Sequence, residues 1–288
     1  MRYNHLKTPL RYPGGKSKAI KTLSQWYPKN ISEYREPFIG GGSIAIDITK
    51  SNPDIPIWIN DLYVPLYNFW VQLRDNGEEL SERILELKQS TLDEGDKDKV
   101  TAKAKELFNK YKKEIDTYDD FEKAVAFFVM NKCSFSGLTE NSTFSQTASN
   151  SNFSLVGAKK LRDFSKIIKD WKITNIDYSE VMSADGSDDT FIFLDPPYDI
   201  KDFLYGKNRE MHRSFDHDLF AENVYKCDHT FMITYNQNHK LMLLYQDYEL
   251  NFWNLRYSMA HREDNIKTEL LITNYNIHPV TPLEQLLT

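Results

Sequence analysis

Apolar residues recur along this chain at two spacings, and the alternation between them divides it into elements. Short runs rich in β-branched and aromatic residues predict strands at 34–38, 55–60, 172–176, 190–195, 230–235, 248–254 and 269–275. Apolar residues at helical spacing predict helices over 78–89, 100–114 and 121–131, with further helical patterns between most of the strands. Strands interleaved with helices predict an α/β fold, a doubly wound and mostly parallel seven-stranded sheet. The long interval between the second and third strands divides the chain in two. Residues 1–74 and 171–288 are expected to form the sheet domain, and residues 75–170 an inserted, mainly helical domain. No internal repeat is evident.

Within the insert the pattern breaks after position 133. Residues 134–154 are rich in Ser, Thr, Asn and Gln, interrupted by Phe135, Leu138, Phe144 and Phe153. A flexible linker would explain the polar residues. Three Phe side chains and the basic stretch at 156–172 make a poor free linker, however. Hydroxyl and amide groups can read base edges and phosphates, and apolar side chains can wedge into an opened base step. Phe135, Ser136, Leu138, Thr139 and Asn141 are therefore candidate DNA contacts, with Lys159 and Lys160 as phosphate contacts. A second basic and aromatic stretch runs from Arg256 to Arg262, and either a hairpin over DNA or an exposed turn would account for it. Residues 199–215 are polar, carry Arg209 and Arg213, and fit a loop ordered by substrate.

Candidate chemistry concentrates at the ends of three predicted strands. Phe191-Ile-Phe-Leu-Asp195-Pro196-Pro197-Tyr198 is a buried-strand pattern that terminates where proline removes the next ladder donor. Asp195 should then lie at a carboxyl end, where open α/β sheets bind ligands. Its carboxylate and the Pro196 carbonyl could accept hydrogen bonds from an amino group while Tyr198 stacks on a planar base. By itself the motif could also be a tight turn. Upstream, Glu36-Pro-Phe38-Ile-Gly40-Gly41-Gly42-Ser43 joins a strand to a helix through glycines that permit close backbone approach. Asp61 follows about twenty residues later, the spacing at which dinucleotide-binding units place an acid on a ribose hydroxyl.

The amino-terminal Tyr12-Pro-Gly-Gly-Lys16-Ser17 invites comparison with a phosphate loop of an ATP-hydrolysing protein. That loop requires a glycine five positions before Gly15, where Leu10 stands, and a strand leading into it. An aromatic and ammonium clamp remains.

Together these segments resemble the Dam-related, alpha-group DNA adenine methyltransferases over nearly the whole chain. That family runs in the same order: an aromatic-x-Gly-Gly-Lys segment, Glu-Pro-Phe-x-Gly-x-Gly, an acid after the second strand, a target-recognition insert, then Asp-Pro-Pro-Tyr. The resemblance implies a Rossmann-like methyltransferase fold with S-adenosylmethionine bound by Tyr12, Lys16, Phe38, Gly40, Gly42, Asp61, Asp177 and Asp195. It implies catalysis by Asp195, Pro196 and Tyr198 on an adenine flipped out of double-stranded DNA. It also admits a cognate restriction nuclease as a partner and suits a monomer. Phe135-Ser-Gly-Leu138 falls where the family carries a Tyr-Asn-Gly-Leu segment that contacts the target. Thr139-Glu-Asn141 then replaces an Arg-bearing run, so recognition of GATC does not carry over. RNA adenine or a cytosine amine would present the same amino geometry, and a non-catalytic DNA-binding module is the reading from another class.

Composition narrows the field. The chain has 288 residues, 40% of them hydrophobic, and no apolar run reaches the roughly 18 residues of a membrane span. Its start is too polar for a secretory signal, so a cytoplasmic protein is expected. Two cysteines exclude a disulfide framework, and Cys133 and Cys227 lack the context of a nucleophile for a cytosine ring carbon. The histidines show no metal spacing. The net charge of −6 is an average. Residues 1–30 hold seven Lys or Arg and no acid, so a basic face remains available for DNA.

Overall fold

The protein is described here by a computed structural model covering residues 3, 5–137, 139, 142–198, 215–256 and 266–276. Its strands are β1 (Glu33–Glu36), β2 (Ile57–Asn60), β3 (Lys172–Thr174), β4 (Thr190–Leu194), β5 (Thr230–Asn236), β6 (Glu249–Arg256) and β7 (Ile266–Thr273). They form one sheet in the order β3-β2-β1-β4-β5-β7-β6. The first five pair in parallel, and β7 runs antiparallel between β5 and β6. The expected doubly wound, mostly parallel sheet of seven strands is thus present.

Alternation along the strands builds two cores. Phe191 and Phe193 of β4 project to one face with Met232 of β5 and Leu271 of β7. Ile192 and Leu194 project to the other with Phe231, Ile233, Tyr235, Leu270 and Ile272. Both faces are covered, so β4 reads as a continuous apolar run. Strands β6 and β7 extend toward their connection further than their apolar runs suggest. Pairing there continues through Asn254↔Thr268 and ends at Arg256↔Ile266, because ladder hydrogen bonds are made by the backbone whatever the side chain.

Helices α1 (Ile20–Leu23) and α2 (Ser43–Ser51) precede β2, and between β2 and β3 lie α3 (Val64–Asp75), α4 (Gly77–Leu92), α5 (Lys97–Glu114), α6 (Asp120–Cys133), α7 (Gln146–Asn152) and α8 (Leu155–Ile168). Eight consecutive residues of α6, 124–131, are buried, the signature of a helix enclosed on all sides. Its Asp119 cap accepts from the Glu122 amide at 2.8 Å. The core of these helices is continuous with the first face of the sheet: Phe127, Phe128, Leu161 and Phe164 join the cluster that holds Phe191 and Ile44. Part of the polar stretch at 134–154 is helical, since Ser145 caps α7 by accepting from the Ala148 amide at 3.2 Å. Among the described residues, no helix is long and apolar enough to cross a membrane.

Strand order reverses between β1 and β4. Neighbouring connections leave that point in opposite directions and open a crevice at the carboxyl ends of the strands.

Candidate active site

The crevice is a cavity of about 590 Å³, within the usual range for small-molecule sites. Tyr12, Lys16, Phe38, Gly40, Gly42, Asp61, Asp177, Asp195, Pro196 and Tyr198 all line it, as do Glu36, Asn60, Tyr178 and Phe215.

The glycine turn follows β1 and leads into α2 (Ser43–Ser51). Gly40 and Gly42 adopt φ of 46° and 67°, a region that disfavours side chains. Space is equally restrictive. A Cβ on Gly40 would lie 2.9 Å from Cε1 of Tyr12, and one on Gly42 would lie 2.6 Å from Cζ2 of Trp70. The Tyr12 ring therefore packs directly on the turn. The indole of Trp70 donates to the Gly40 carbonyl at 3.2 Å and fixes the turn from below. Gly42 opens α2 without a side-chain cap, the Glu36 carboxyl accepts from the Ala45 amide in the first turn, and Ser43 and Ile44 face the cavity.

Asp61 closes the second wall. Its carboxylate accepts from the amides of Gly40 at 3.1 Å and Tyr63 at 3.0 Å. Burial outweighs those bonds and pushes the carboxyl up to about 6. Beside it, Asn60 joins the ends of three strands, donating to the carbonyls of Pro37 at 3.1 Å and Ile176 at 3.0 Å. Asp177 is exposed and caps α9 (Tyr178–Ser183) by accepting from the Ser179 amide at 2.9 Å. Phe38 completes an aromatic wall, its ring 5.4 Å from Tyr178 and 5.8 Å from Phe215.

The opposite wall carries Asp195, one residue beyond β4. Lys16, only 4% exposed, donates to both of its oxygens, at 2.7 Å to Oδ1 and 2.6 Å to Oδ2. Thr234 of β5 donates to Oδ1 at 2.8 Å. The same ammonium lies 5.1 Å from the centroid of the Tyr198 ring, whose hydroxyl donates to Glu269 of β7 at 2.8 Å. Glu36 lies buried behind this pair and accepts from the Tyr34 hydroxyl at 2.7 Å. Burial first, then the negative charge of Asp195, drive its carboxyl well above the ordinary range, against the Tyr34 bond.

Thr234 and Glu269 were not among the expected site residues. Thr234 interrupts the apolar run of β5 and Glu269 directly precedes the apolar run of β7, which is a signal, but only the β4-β5-β7 order brings them to Asp195 and Tyr198. Lys16, expected to meet the cofactor, lines the cavity while its ammonium is engaged by Asp195.

The expected DNA contacts are more dispersed. Phe135 is 58% exposed on a short turn, and Ser136 there adopts φ of 53°. Thr139 is 5% exposed, with φ of 47° and a carbonyl that accepts from Ser142, so its side chain is turned away from solvent rather than presented to a duplex. On α8, Lys159 is exposed and Lys160 half-buried, and neither lines the cavity. Their neighbour Arg162 is held by Glu78 at 2.8 Å and Glu82 at 3.3 Å. Arg256 is the last residue of β6. Leu138, Asn141, Arg262, Arg209 and Arg213 lie outside the described residues. His217 meets the Tyr235 hydroxyl at 3.0 Å. Burial raises the Cys133 thiol to about 11, which suits a core side chain and opposes a nucleophile.

Comparison with known proteins agrees with this geometry. Residues 12–259 match the family of D12 class N6 adenine-specific DNA methyltransferases. Type II methyltransferase M.MjaIII of Methanocaldococcus jannaschii is 25% identical over 204 residues, covering 67% of this chain and 69% of that protein. Type II methyltransferase M1.LlaDCHI of Lactococcus lactis subsp. cremoris is 23% identical over 206 residues, covering 67% of this chain and 66% of that protein. Modification methylase StsI of Streptococcus sanguinis is 25% identical over 205 residues, and the match spans 29% of its length. Since the matched region takes in every motif around the cavity, the chain belongs to the D12 class of N6 adenine-specific DNA methyltransferases.

Proposed function

We propose that this protein transfers a methyl group from S-adenosylmethionine to the exocyclic amine of an adenine flipped out of double-stranded DNA at a specific site. The observation that carries this reading is the single cavity shared by Asp195, Pro196 and Tyr198 on one wall and by Tyr12, the glycine turn and Asp61 on the other.

The residues present suit the cofactor. Asp61 supplies an acceptor for ribose hydroxyls, and Tyr12, Phe38 and Tyr178 supply flat apolar walls. Ser43 and Ile44, in the first turn of α2, line the cavity and suit a carboxylate, because helix amides and their dipole favour anions. When bound, S-adenosylmethionine supplies a methyl group activated by the positive charge on sulfur.

Asp195 and Pro196 act on the amine. Adenine delocalises its amino lone pair into the ring, so the nitrogen becomes nucleophilic only as it pyramidalises. Acceptors for both amino hydrogens favour that geometry and stabilise the positive charge that develops. Each carboxylate oxygen has two lone pairs. Oδ1 already accepts from Lys16 and Thr234, whereas Oδ2 accepts from Lys16 alone among the described residues. Oδ2 is therefore the atom with capacity for the amine, and the Pro196 carbonyl is the second acceptor. Tyr198 provides the surface on which the base stacks, since a base inside a duplex cannot reach such a cavity. Holding the reacting atoms in line is worth roughly 7–11 kcal/mol in favourable cases.

The loop carrying Phe135 and Ser136, with Lys159, Lys160 and the Arg256 end of β6, is the proposed contact surface for DNA. A cognate restriction nuclease is the corresponding proposal for a partner, supported by two relatives that are type II methyltransferases. Thermal unfolding tests the cofactor assignment. S-adenosylmethionine should raise the melting temperature and magnesium-ATP should not, because a ligand that binds the folded state alone stabilises it by mass action. Stabilisation by magnesium-ATP alone would overturn it.

A further inference from the structure

The antiparallel end of the sheet sends one carboxylate toward the candidate active site. Glu269 lies near the start of β7, is 1% exposed, and accepts from the Tyr198 hydroxyl at 2.8 Å. In the ladder it stands opposite Asn236 of β5 and Trp253 of β6. Two positions further along, Leu271 stands opposite Thr234. Residues two apart share a face, so Glu269 and Thr234 project from the same side of the sheet. Thr234 donates to Asp195 and Glu269 accepts from Tyr198. Both ends of the Asp-Pro-Pro-Tyr segment are thus tied to one rigid surface, although the segment lies outside any helix or strand.

Stacking on a base requires the ring of a tyrosine and not its hydroxyl. A phenol bonded to a buried carboxyl group on a strand paired along both sides instead fixes how the ring stands, because a hydrogen bond is directional. We infer that Glu269 is a positioning residue, which sets the orientation of the Tyr198 ring for the flipped adenine and acts through the Tyr198 hydroxyl. This rests on the proposed adenine methyltransferase reading. Glu269 need not touch substrate or cofactor.

A double-substitution cycle on the full chain tests it, with a duplex containing the methylated site found by single-molecule sequencing. Tyr198→Phe removes the donor, and Glu269→Met removes the acceptor at similar volume. Each should lower kcat about tenfold while the KM for S-adenosylmethionine stays within twofold. The double variant should be no slower than either single one, and Glu269→Gln should regain activity relative to Glu269→Met, because its amide oxygen still accepts. With 2-aminopurine at the target position, both single variants should shift its emission in the same direction and by similar amounts. Should Glu269→Met fail to fold, Tyr198→Phe measured against wild type carries the test by kcat and emission alone. Losses that multiply in the double variant, or Tyr198→Phe at the wild-type rate with unchanged emission, overturn the role of Glu269. A wild-type protein that methylates no adenine overturns the underlying reading as well.

Discussion

The ammonium of Lys16 contacts both carboxylate oxygens of Asp195, at 2.7 and 2.6 Å, across 179 positions of sequence. The first and last motifs of the chain therefore meet in one ion pair. Removing one partner of a fully buried pair costs about 3–5 kcal/mol. Here Asp195 keeps 20% exposure, so solvent recovers part of that. Lys16→Met should lower unfolding stability by about 2 kcal/mol, seen as a shifted urea midpoint at constant slope. It should also lower kcat, since Thr234 alone would then hold the carboxylate among the described residues.

Cofactor binding should depend on pH through Asp61. Its carboxyl is raised to about 6 in the free protein, and ribose hydroxyls need the deprotonated acceptor. As pH falls below about 6 the proton must be displaced, so the Kd for S-adenosylmethionine should rise, approaching tenfold per unit. Above that pH it should level off. Asp61→Asn should bind weakly at every pH and show no such break in isothermal titration between pH 5 and 8.

Gly42 and Gly95 separate strain from collision. Both have positive φ, at 67° and 71°. An added Cβ at Gly42 would meet the buried Trp70 ring, whereas nothing lies within 4 Å at Gly95. Gly95→Ala should cost about 1 kcal/mol for backbone strain. Gly42→Ala should cost about 3 kcal/mol or more and weaken cofactor binding. Chemical denaturation of the two variants, with and without cofactor, measures the difference.

Asn131 should couple the polar loop to the cofactor side. Its buried amide accepts from the Arg11 amide at 2.9 Å and donates to the carbonyls of Arg11 at 2.7 Å and Gly137 at 3.1 Å. Arg11 adjoins Tyr12, and Gly137 belongs to the turn bearing Phe135. Asn131→Ala leaves three groups unpaired and should cost about 1–3 kcal/mol. Both S-adenosylmethionine affinity and discrimination among DNA sites should fall, whereas a change confined to one would show that the two sides are independent. Titration and methylation of a random-duplex library measure them.

Much of the sheet was legible because its strands are buried on both faces and bounded by turn residues, as with 190–195 and β4. The catalytic wall was legible through the ordered motifs around Tyr12, Glu36, Asp61 and Asp195. What escaped depends on tertiary placement. Ser145–Asn152 carries a helix on almost wholly polar residues, recognisable only from its Ser145 cap. Thr139 reads as an exposed recognition residue until its turn folds it inward. Glu269 and Thr234 acquire partners only when β7 inserts beside β5.

The central claim is that Asp195 promotes methylation of adenine at its amino group. Its most direct test is a single-turnover reaction of wild type and Asp195→Asn, with methyl-labelled S-adenosylmethionine and duplex DNA, followed by separation of the nucleosides. Wild type should place the label in N6-methyldeoxyadenosine. Asp195→Asn should bind cofactor stoichiometrically yet react at least about 100-fold more slowly, the scale of losing one preorganised transition-state contact. Label in cytosine, or an Asp195→Asn rate near wild type, would contradict the account.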